Sequence, residues 1–394
     1  MKRFFFVFAV LSSMLSGSMS AFAAQFDISG YIEPQYLFLD NDEASESVAR
    51  NRLKVNAKFK PADGVSIEAD AISMHYFKRY SVNLADFLPD RIRQTLPPQL
   101  RNISATSPRD SLYFDNVFLK LSRGKADVTV GKQQLEFGPG YFSNPVNMFS
   151  RKDIIDPTYE KTGHKAIRGD LTLAPRSVLT VFATSDDDID HISDVGSAVR
   201  LTVPAGHFDL GFTLAEREWL LGDYLTGDLS PQQRSLYGFD AVGELLGAGV
   251  WTEFQYSRME REEDFYELLA GVDYTFTNKL YLMAEYYHGS LAASDTESLT
   301  FSDWMRYFNN EVLAVSSDQL YLYSEYPAGD YLKLGFAVLA SLNDSSCALV
   351  PSVRYNFQEN LMLTMIGQIY TGRDGTAFGT QLGKGGLCRL TWYF

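Results

Sequence analysis

The sequence predicts an all-β fold: a closed antiparallel transmembrane barrel of about 18 strands, with short periplasmic turns and long extracellular loops. Three observations lead there. The chain ends Cys388-Arg389-Leu390-Thr391-Trp392-Tyr393-Phe394, apolar at every second position back from a terminal aromatic residue. At the other end, Lys2 and Arg3 precede an apolar stretch over 4–15 and the small-x-small triplet Ala21-Phe22-Ala23, the pattern of an export signal cleaved before Ala24. Between them, segments of period two recur, separated by turn-type sequences. That period buries one face and wets the other, as the wall of a water-lined barrel requires.

Residues 1–23 therefore read as a signal peptide and 24–394 as one barrel domain in the outer membrane of a Gram-negative cell. The apolar stretch at 4–15 is shorter than the roughly 20 residues of a membrane helix. No later segment offers an uninterrupted apolar run of that length either, which excludes a helical membrane protein. Residues 1–23 hold two cations and no acids, so the formal charge of -14 becomes -16 after cleavage. The chain carries 23 Tyr and 28 Phe, which suits aromatic girdles at both bilayer interfaces.

Connections alternate in length. Short ones fall at 61–64, 123–126, 174–177, 204–207, 247–248, 277–279, 327–330 and 358–360, rich in Gly, Pro, Asn and Asp. Longer polar ones fall at 40–48, 78–110, 138–163, 185–194, 217–235, 257–264, 289–318, 343–346 and 371–380. Together they delimit eighteen strands with both termini on the short-turn side, the even count expected of a single-chain bacterial barrel.

Faces follow from the alternation. Phe26, Ile28, Ile32, Tyr36 and Phe38 face lipid, with Asp27, Ser29, Glu33 and Gln35 inside. Next, Leu53, Val55, Ala57 and Phe59 face out, leaving Arg50, Arg52, Lys54, Asn56 and Lys58 inside. Tyr266, Leu268, Ala270, Val272 and Tyr274 oppose Glu267, Gly271 and Asp273, and Leu332, Leu334, Phe336 and Val338 oppose Lys333, Gly335 and Ala337. Residues 126–137 and 178–184 show no clear phase.

The pore-lining candidates are the inward cations Arg50, Arg52, Lys54, Lys58, Arg168, Arg200, Lys333 and Arg354 with the inward acids Glu68 and Asp70. Glu33, Asp209, Asp240, Glu244, Glu253, Glu267, Asp273 and Glu285 add further inward acids. Opposed charges of both signs create a field that small polar solutes tolerate. A polyanion exporter would be lined chiefly by Arg and Lys. The connection at 138–163 is dense in Gly and Pro and carries Tyr141, Phe142, Asn144, Arg151, Lys152 and Asp153. A long ordered connection of this kind tends to be functional; it reads as a constriction folded into the lumen, or else as a loop over the rim.

Gly131-Lys132-Gln133-Gln134 followed by that loop resembles a segment of Gram-negative porin-like barrels, the alginate-export family included. Leu342-Asn343-Asp344-Ser345-Ser346 with the strand at 350–357 is similar to their second-last hairpins, and Trp392-Tyr393-Phe394 resembles the signal that barrel-assembly machinery reads. The resemblance implies a passive outer-membrane channel and names no substrate. Two rivals stay open: a scaffold sheathing a cytochrome partner, and a polysaccharide exporter.

Other features are less specific. The 78–109 loop is basic and could meet lipopolysaccharide phosphates or simply neighbouring acids. Asp186, Asp187, Asp188, Asp190 and Asp194 could ligate calcium, but their spacing fits no standard loop and a solvated charge run explains them as well. Residues 301–314 read as an amphipathic helix with Trp304, Phe308 and Val312 on one side, packing on the rim or plugging the mouth. Cys347 and Cys388 are separated by a whole strand, too far for a disulfide, and read as lipid-facing. His75, His164, His191, His207 and His288 are scattered, without metal-ligand or haem-attachment spacing. The expected partners are outer-membrane lipid and lipopolysaccharide, the assembly machinery through Phe394, small solutes and a possible homo-oligomer or cytochrome; no cofactor, nucleic acid or enzymatic activity is expected.

Overall fold

The computed structural model describes residues 24–41, 45–77, 81–101, 104–106, 109–150, 163–185, 195–309 and 311–394. The strands run β1 (Gln25–Asp40), β2 (Ser45–Ala62), β3 (Val65–Tyr76), β4 (Ser81–Asn83), β5 (Ser104–Thr106), β6 (Ser111–Arg123), β7 (Ala126–Gln133), β8 (His164–Ala174), β9 (Ser177–Ser185) and β10 (Val195–Ala205). They continue as β11 (Phe208–Asp223), β12 (Asp228–Leu245), β13 (Ala248–Met259), β14 (Phe265–Thr275), β15 (Tyr281–Gly289), β16 (Asp318–Pro327), β17 (Leu332–Ser341), β18 (Cys347–Gln358), β19 (Leu361–Tyr370) and β20 (Lys384–Tyr393). Eighteen of these form one antiparallel sheet; β4 and β5 make a separate ribbon inside the loop after β3.

The sheet closes on itself. β1 pairs with β20 from Tyr31↔Tyr393 to Asp40↔Lys384, and Gly30 and Phe394 exchange two backbone hydrogen bonds of 3.0 Å. Closure removes the free edges that eighteen long strands would otherwise expose.

Solvation is inverted relative to a soluble protein. Phe26, Phe212, Leu214, Phe254, Phe336 and Met365 are exposed on the outer wall, while Glu33, Arg52, Lys54, Asp240, Glu253 and Glu285 are buried inside. Only a surrounding hydrocarbon phase rewards that arrangement, so the chain is a multi-pass outer-membrane barrel. No helix among the described residues is long and apolar enough to cross a membrane.

The register resolves the segments whose phase was unreadable. Thr129 and Gln133 of β7 and Thr180, Phe182 and Thr184 of β9 are buried inward, with Val181 exposed outward. Phe182 breaks the polar-inside rule because the loop after β7 packs on it. Cys347 pairs with Ala340, and Cys388 with Tyr36 and Met365, all on the outward face.

Two expectations need correction. Residues 217–235 are not a loop: β11 and β12 extend to Asp223 and Asp228, leaving only 224–227 as a turn. Above the bilayer band both faces of a strand are wet, so the apolar–polar alternation lapses although the ladder continues. The helix expected over 301–314 ends at Phe308, so Val312 does not share its face. Thr300 and Asp303 form a capping box at its start, which satisfies orphan amides there. The signal peptide at 1–23, Lys78, Arg79, Arg151, Lys152, Asp153 and the acidic run Asp186, Asp187, Asp188, Asp190 and Asp194 lie outside the described residues.

Candidate functional site: a loop stapled across the lumen

The segment that follows β7 does not stay over the rim. Two wall carboxylates hold it inside. Glu253 on β13, fully buried, accepts the Gly140 amide at 2.6 Å and the Val146 amide at 3.1 Å through its two oxygens. Glu285 on β15 accepts the amides of Tyr141 and, at 2.6 Å, Phe142, together with the Trp251 indole N–H at 2.7 Å. Backbone amides in an irregular segment have no ladder partner, and a buried carboxylate needs several donors; each group satisfies the other. Gly140 is required because a Cβ there would strike the Ser143 carbonyl oxygen. Gly138 adopts φ +76°, and a Cβ there would also meet the Glu253 carboxylate.

From these anchors the loop reaches the far wall. Phe142 stacks on Tyr321 at 4.8 Å, and Tyr141 lies 6.1 Å from both Tyr321 and Tyr323. These tyrosines sit on β16, nine places from β7 around the eighteen-strand ring, so the loop spans the lumen. On its other flank Leu135, Phe137, Val146 and Phe149 pack against inward Phe182, Ala198, Ala215 and Leu236 of β9–β12. That side is closed by apolar contact.

The cations on β2 stand two or four residues apart along one face. Arg50 Nε donates to Gln35 at 2.5 Å, and the Arg52 guanidinium lies 5.7 Å from the Tyr31 ring centroid. Lys54 is 3.4 Å from Asp70, which also accepts from Asn116 at 2.9 Å, and Lys58 pairs with Glu68. The other candidates are dispersed. Arg168 pairs with Asp170 at 2.8 Å. Lys333 and Arg354 flank Glu325 at 2.9 and 3.8 Å. Arg200 makes a two-pronged pair with Asp240 at 2.5 and 2.8 Å and lies 5.4 Å from the Phe137 ring, among the residues that pack the loop. Asn144 braces the loop internally, donating to the Phe137 carbonyl at 2.5 Å.

The mouth is partly roofed. The loop after β3 carries a short helix, α1 (Asp90–Thr95), and the loop after β15 carries α2 (Phe301–Phe308). Leu88, Ile92 and Leu96 from the first, Leu299, Trp304 and Met305 from the second, and Ala377 and Phe378 from the loop after β19 form one apolar core. Polar ties stitch its edges: Arg91 to the Leu299 carbonyl at 2.9 Å, the Asp90 amide to Asp374 at 3.1 Å, and Asn41 to the carbonyls of Asp86 and Gln381 at 3.0 Å. The helix thus roofs the mouth by packing against other loops.

Beside this roof a cavity of about 740 Å³ remains, lined by loop residues 144–145 and 147–150, by Arg217, Glu218, Trp219, Arg234, Phe265, Glu267 and Tyr287 among others of the wall, and by 309 and 311–314. Arg217, Trp219 and Arg234 escaped the sequence reading because they fell in the stretch taken as a loop. Glu253 and Glu285 escaped as anchors because their partners in the loop are backbone amides, which leave no side-chain signature. The Gly138-Pro139-Gly140 run was the one visible trace.

Similar architectures occur among Gram-negative outer-membrane porins. OccK9 of Pseudomonas aeruginosa matches with a TM-score of 0.60 at 12% identity, over 94% of this chain and 98% of that one. OccAB1 of Acinetobacter baumannii gives 0.60 at 9% identity, over 96% and 98%, and OccAB4 of the same species gives 0.58 at 12%, over 94% and 98%. At such identities the likeness is one of fold. No protein-family model matches the chain, and no curated protein matches it; the resemblance to alginate-export barrels gains no support.

Proposed function

We propose that this barrel is a channel through which small hydrophilic solutes diffuse passively across the outer membrane. One observation carries the reading: a loop bridging β7 to β16, held by Glu253 and Glu285, narrows the lumen without any need for a partner protein. The passage then runs beside the loop edge, past Tyr141 and along the β2 cations Arg50, Arg52, Lys54 and Lys58. Charges of both signs there favour small polar solutes over polyanions. A sheath around a cytochrome would need the same space that the loop fills, and the porin fold of the similar structures fits diffusion better than either rival.

Purified protein in planar lipid bilayers tests this. Discrete conductance steps in KCl are expected. Electrical silence, or block by an acidic polymer with no passage of small ions, would overturn the proposal.

A further inference from the structure

On the inner face of β6, Asn116, Phe118 and Lys120 stand at alternate positions, and with Thr129 and Gln133 of β7 and Arg168 of β8 they line a second cavity, of about 340 Å³. It lies at the root of the constriction loop, on the side of the 123–126 and 174–177 turns. Phe118 is out of place there. It stands opposite Glu68 and Gly131 across its two ladders, which puts its ring on the wet side of the wall. Inward Phe182 has the loop to cover it, but Phe118 belongs to none of the apolar clusters among the described residues. An aromatic face left among polar neighbours forgoes the burial that ordinarily rewards it. Gly131 keeps its flank open: φ there is +128°, and a Cβ would strike the Val117 carbonyl oxygen. Charge around the cavity is closed. Lys120 is 2.9 Å from Asp127 and Arg168 is 2.8 Å from Asp170, while on the adjoining strands Lys54 pairs with Asp70 and Lys58 with Glu68. Acceptors are in surplus. Gln133 Nε2 donates to the Thr129 and Ala166 carbonyls at 3.3 and 3.2 Å, which leaves its side-chain oxygen as an acceptor. Asn116 donates to Asp70 at 2.9 Å, and its own oxygen is buried with no hydrogen-bond partner among the described residues.

From these observations we propose that the cavity holds one neutral sugar ring, stacked on Phe118 and hydrogen-bonded through its hydroxyls to Asn116, Gln133 and Arg168. Three arguments converge. A sugar ring has an apolar C–H face of slight positive charge, which complements the negative face of an aromatic ring. Its hydroxyls both donate and accept, so they can serve the side-chain oxygens of Asn116 and Gln133, which need a hydrogen. An ionised carboxylate or phosphate brings none. Finally, four ion pairs with no excess of either sign give a charged solute nothing to neutralise, while their remaining lone pairs and N–H groups still suit hydroxyls. The volume lies at the lower end of the roughly 300–1,000 Å³ of small-molecule sites, enough for a ring and not for a chain. Because the cavity lies beyond the loop, the ring is held after it has crossed the constriction. This assignment rests on the reading of the barrel as a solute channel and names one class of solute.

The test uses the whole protein purified in lauryldimethylamine oxide, a detergent without a sugar headgroup, and follows binding by saturation-transfer difference NMR. D-glucose is the probe, with sorbitol as its open-chain counterpart and glucuronate as its acidic one. Glucose should bind about tenfold more tightly than sorbitol, and glucuronate no more tightly than glucose. Phe118→Ala should weaken glucose about tenfold, whereas Phe118→Tyr should keep it within about twofold. The Phe118 ring packs against no apolar cluster, so the barrel should fold without it. Gln133→Leu, which removes an acceptor and leaves the ring, should also weaken glucose. Equal binding of glucose and sorbitol, or an unchanged affinity in Phe118→Ala, would overturn the site. A tenfold preference for glucuronate would overturn the neutral class. KCl conductance of the same preparations separates the two readings: a silent barrel that still binds glucose through Phe118 sinks the channel and leaves the site, and a conducting barrel blind to glucose does the reverse.

Discussion

Glu253 and Gly140 stand on opposite sides of a functional joint: the carboxylate on the barrel wall accepts the glycine amide at 2.6 Å, and its second oxygen takes the Val146 amide. In Glu253→Gln one of these amides would face an NH2 group. A buried donor left without an acceptor costs about 1–3 kcal/mol, enough to free the loop tip. Larger and noisier single-channel conductance is expected, with the Glu253→Gln Glu285→Gln pair exceeding either single change. Wild-type conductance in the double variant would mean that these carboxylates do not hold the constriction.

The two β2 arginines give a prediction about selectivity. Lys54 and Lys58 are paired with Asp70 and Glu68; Arg50 donates to Gln35, and Arg52 lies by the Tyr31 ring and stands opposite Glu33 across the β1–β2 ladder. Each arginine adds one positive charge to the inner face of β2. Arg50→Gln with Arg52→Gln should shift the reversal potential in a KCl gradient toward cations, reducing anion over cation permeability by roughly twofold or more. An unshifted potential would place the filter elsewhere.

How much of this could be read in the chain depends on what each residue touches. Residues between two solvents were legible: Phe26 against Asp27, or Leu334 against Lys333, report lipid and lumen by chemistry alone, and eighteen strands follow from turns that keep their Gly, Pro and Asn. Legibility failed where protein replaced one of those solvents. Phe182 faces inward because Phe137 and Phe149 cover it, and no local pattern announces a covering loop. It failed again above the membrane, where Glu218, Gln232 and Gln233 leave β11 and β12 without an oily face. The constriction loop was visible as composition, but its route was not, because Glu253 and Glu285 bind peptide groups that every residue possesses.

Trp304 tests whether the roof is one cooperative unit. It is fully buried between the loops after β3, β15 and β19, and its indole nitrogen has no hydrogen-bond partner among the described residues. Trp304→Ala removes a large apolar contact, a loss of about 3–5 kcal/mol in a packed core, all of it local. Limited proteolysis should then cut within 84–101 and 296–309 at least several times faster, while the temperature of barrel unfolding in detergent barely moves. Accelerated cleavage confined to 296–309 would show the loops to be independent.

Glu311 makes the wall of the cavity of about 740 Å³ sensitive to pH, and the sign can be worked out. It bonds to the Tyr224 hydroxyl at the β11–β12 turn, and burial raises its carboxyl from 4.5 to about 7. The packed state therefore favours the proton. Below 4.5 the group is neutral whether packed or released, and no penalty arises. Between 4.5 and 7 the released form ionises first, so packing weakens as pH rises; above 7 the penalty is complete. Partial exposure screens its size. Protease cleavage in 309–314 should thus be faster at pH 8 than at pH 5 in the wild type. Glu311→Gln, which keeps a group able to accept from Tyr224 but cannot ionise, should cut equally slowly at both. Equal wild-type rates at the two pH values would show that the carboxyl titrates in its ordinary range.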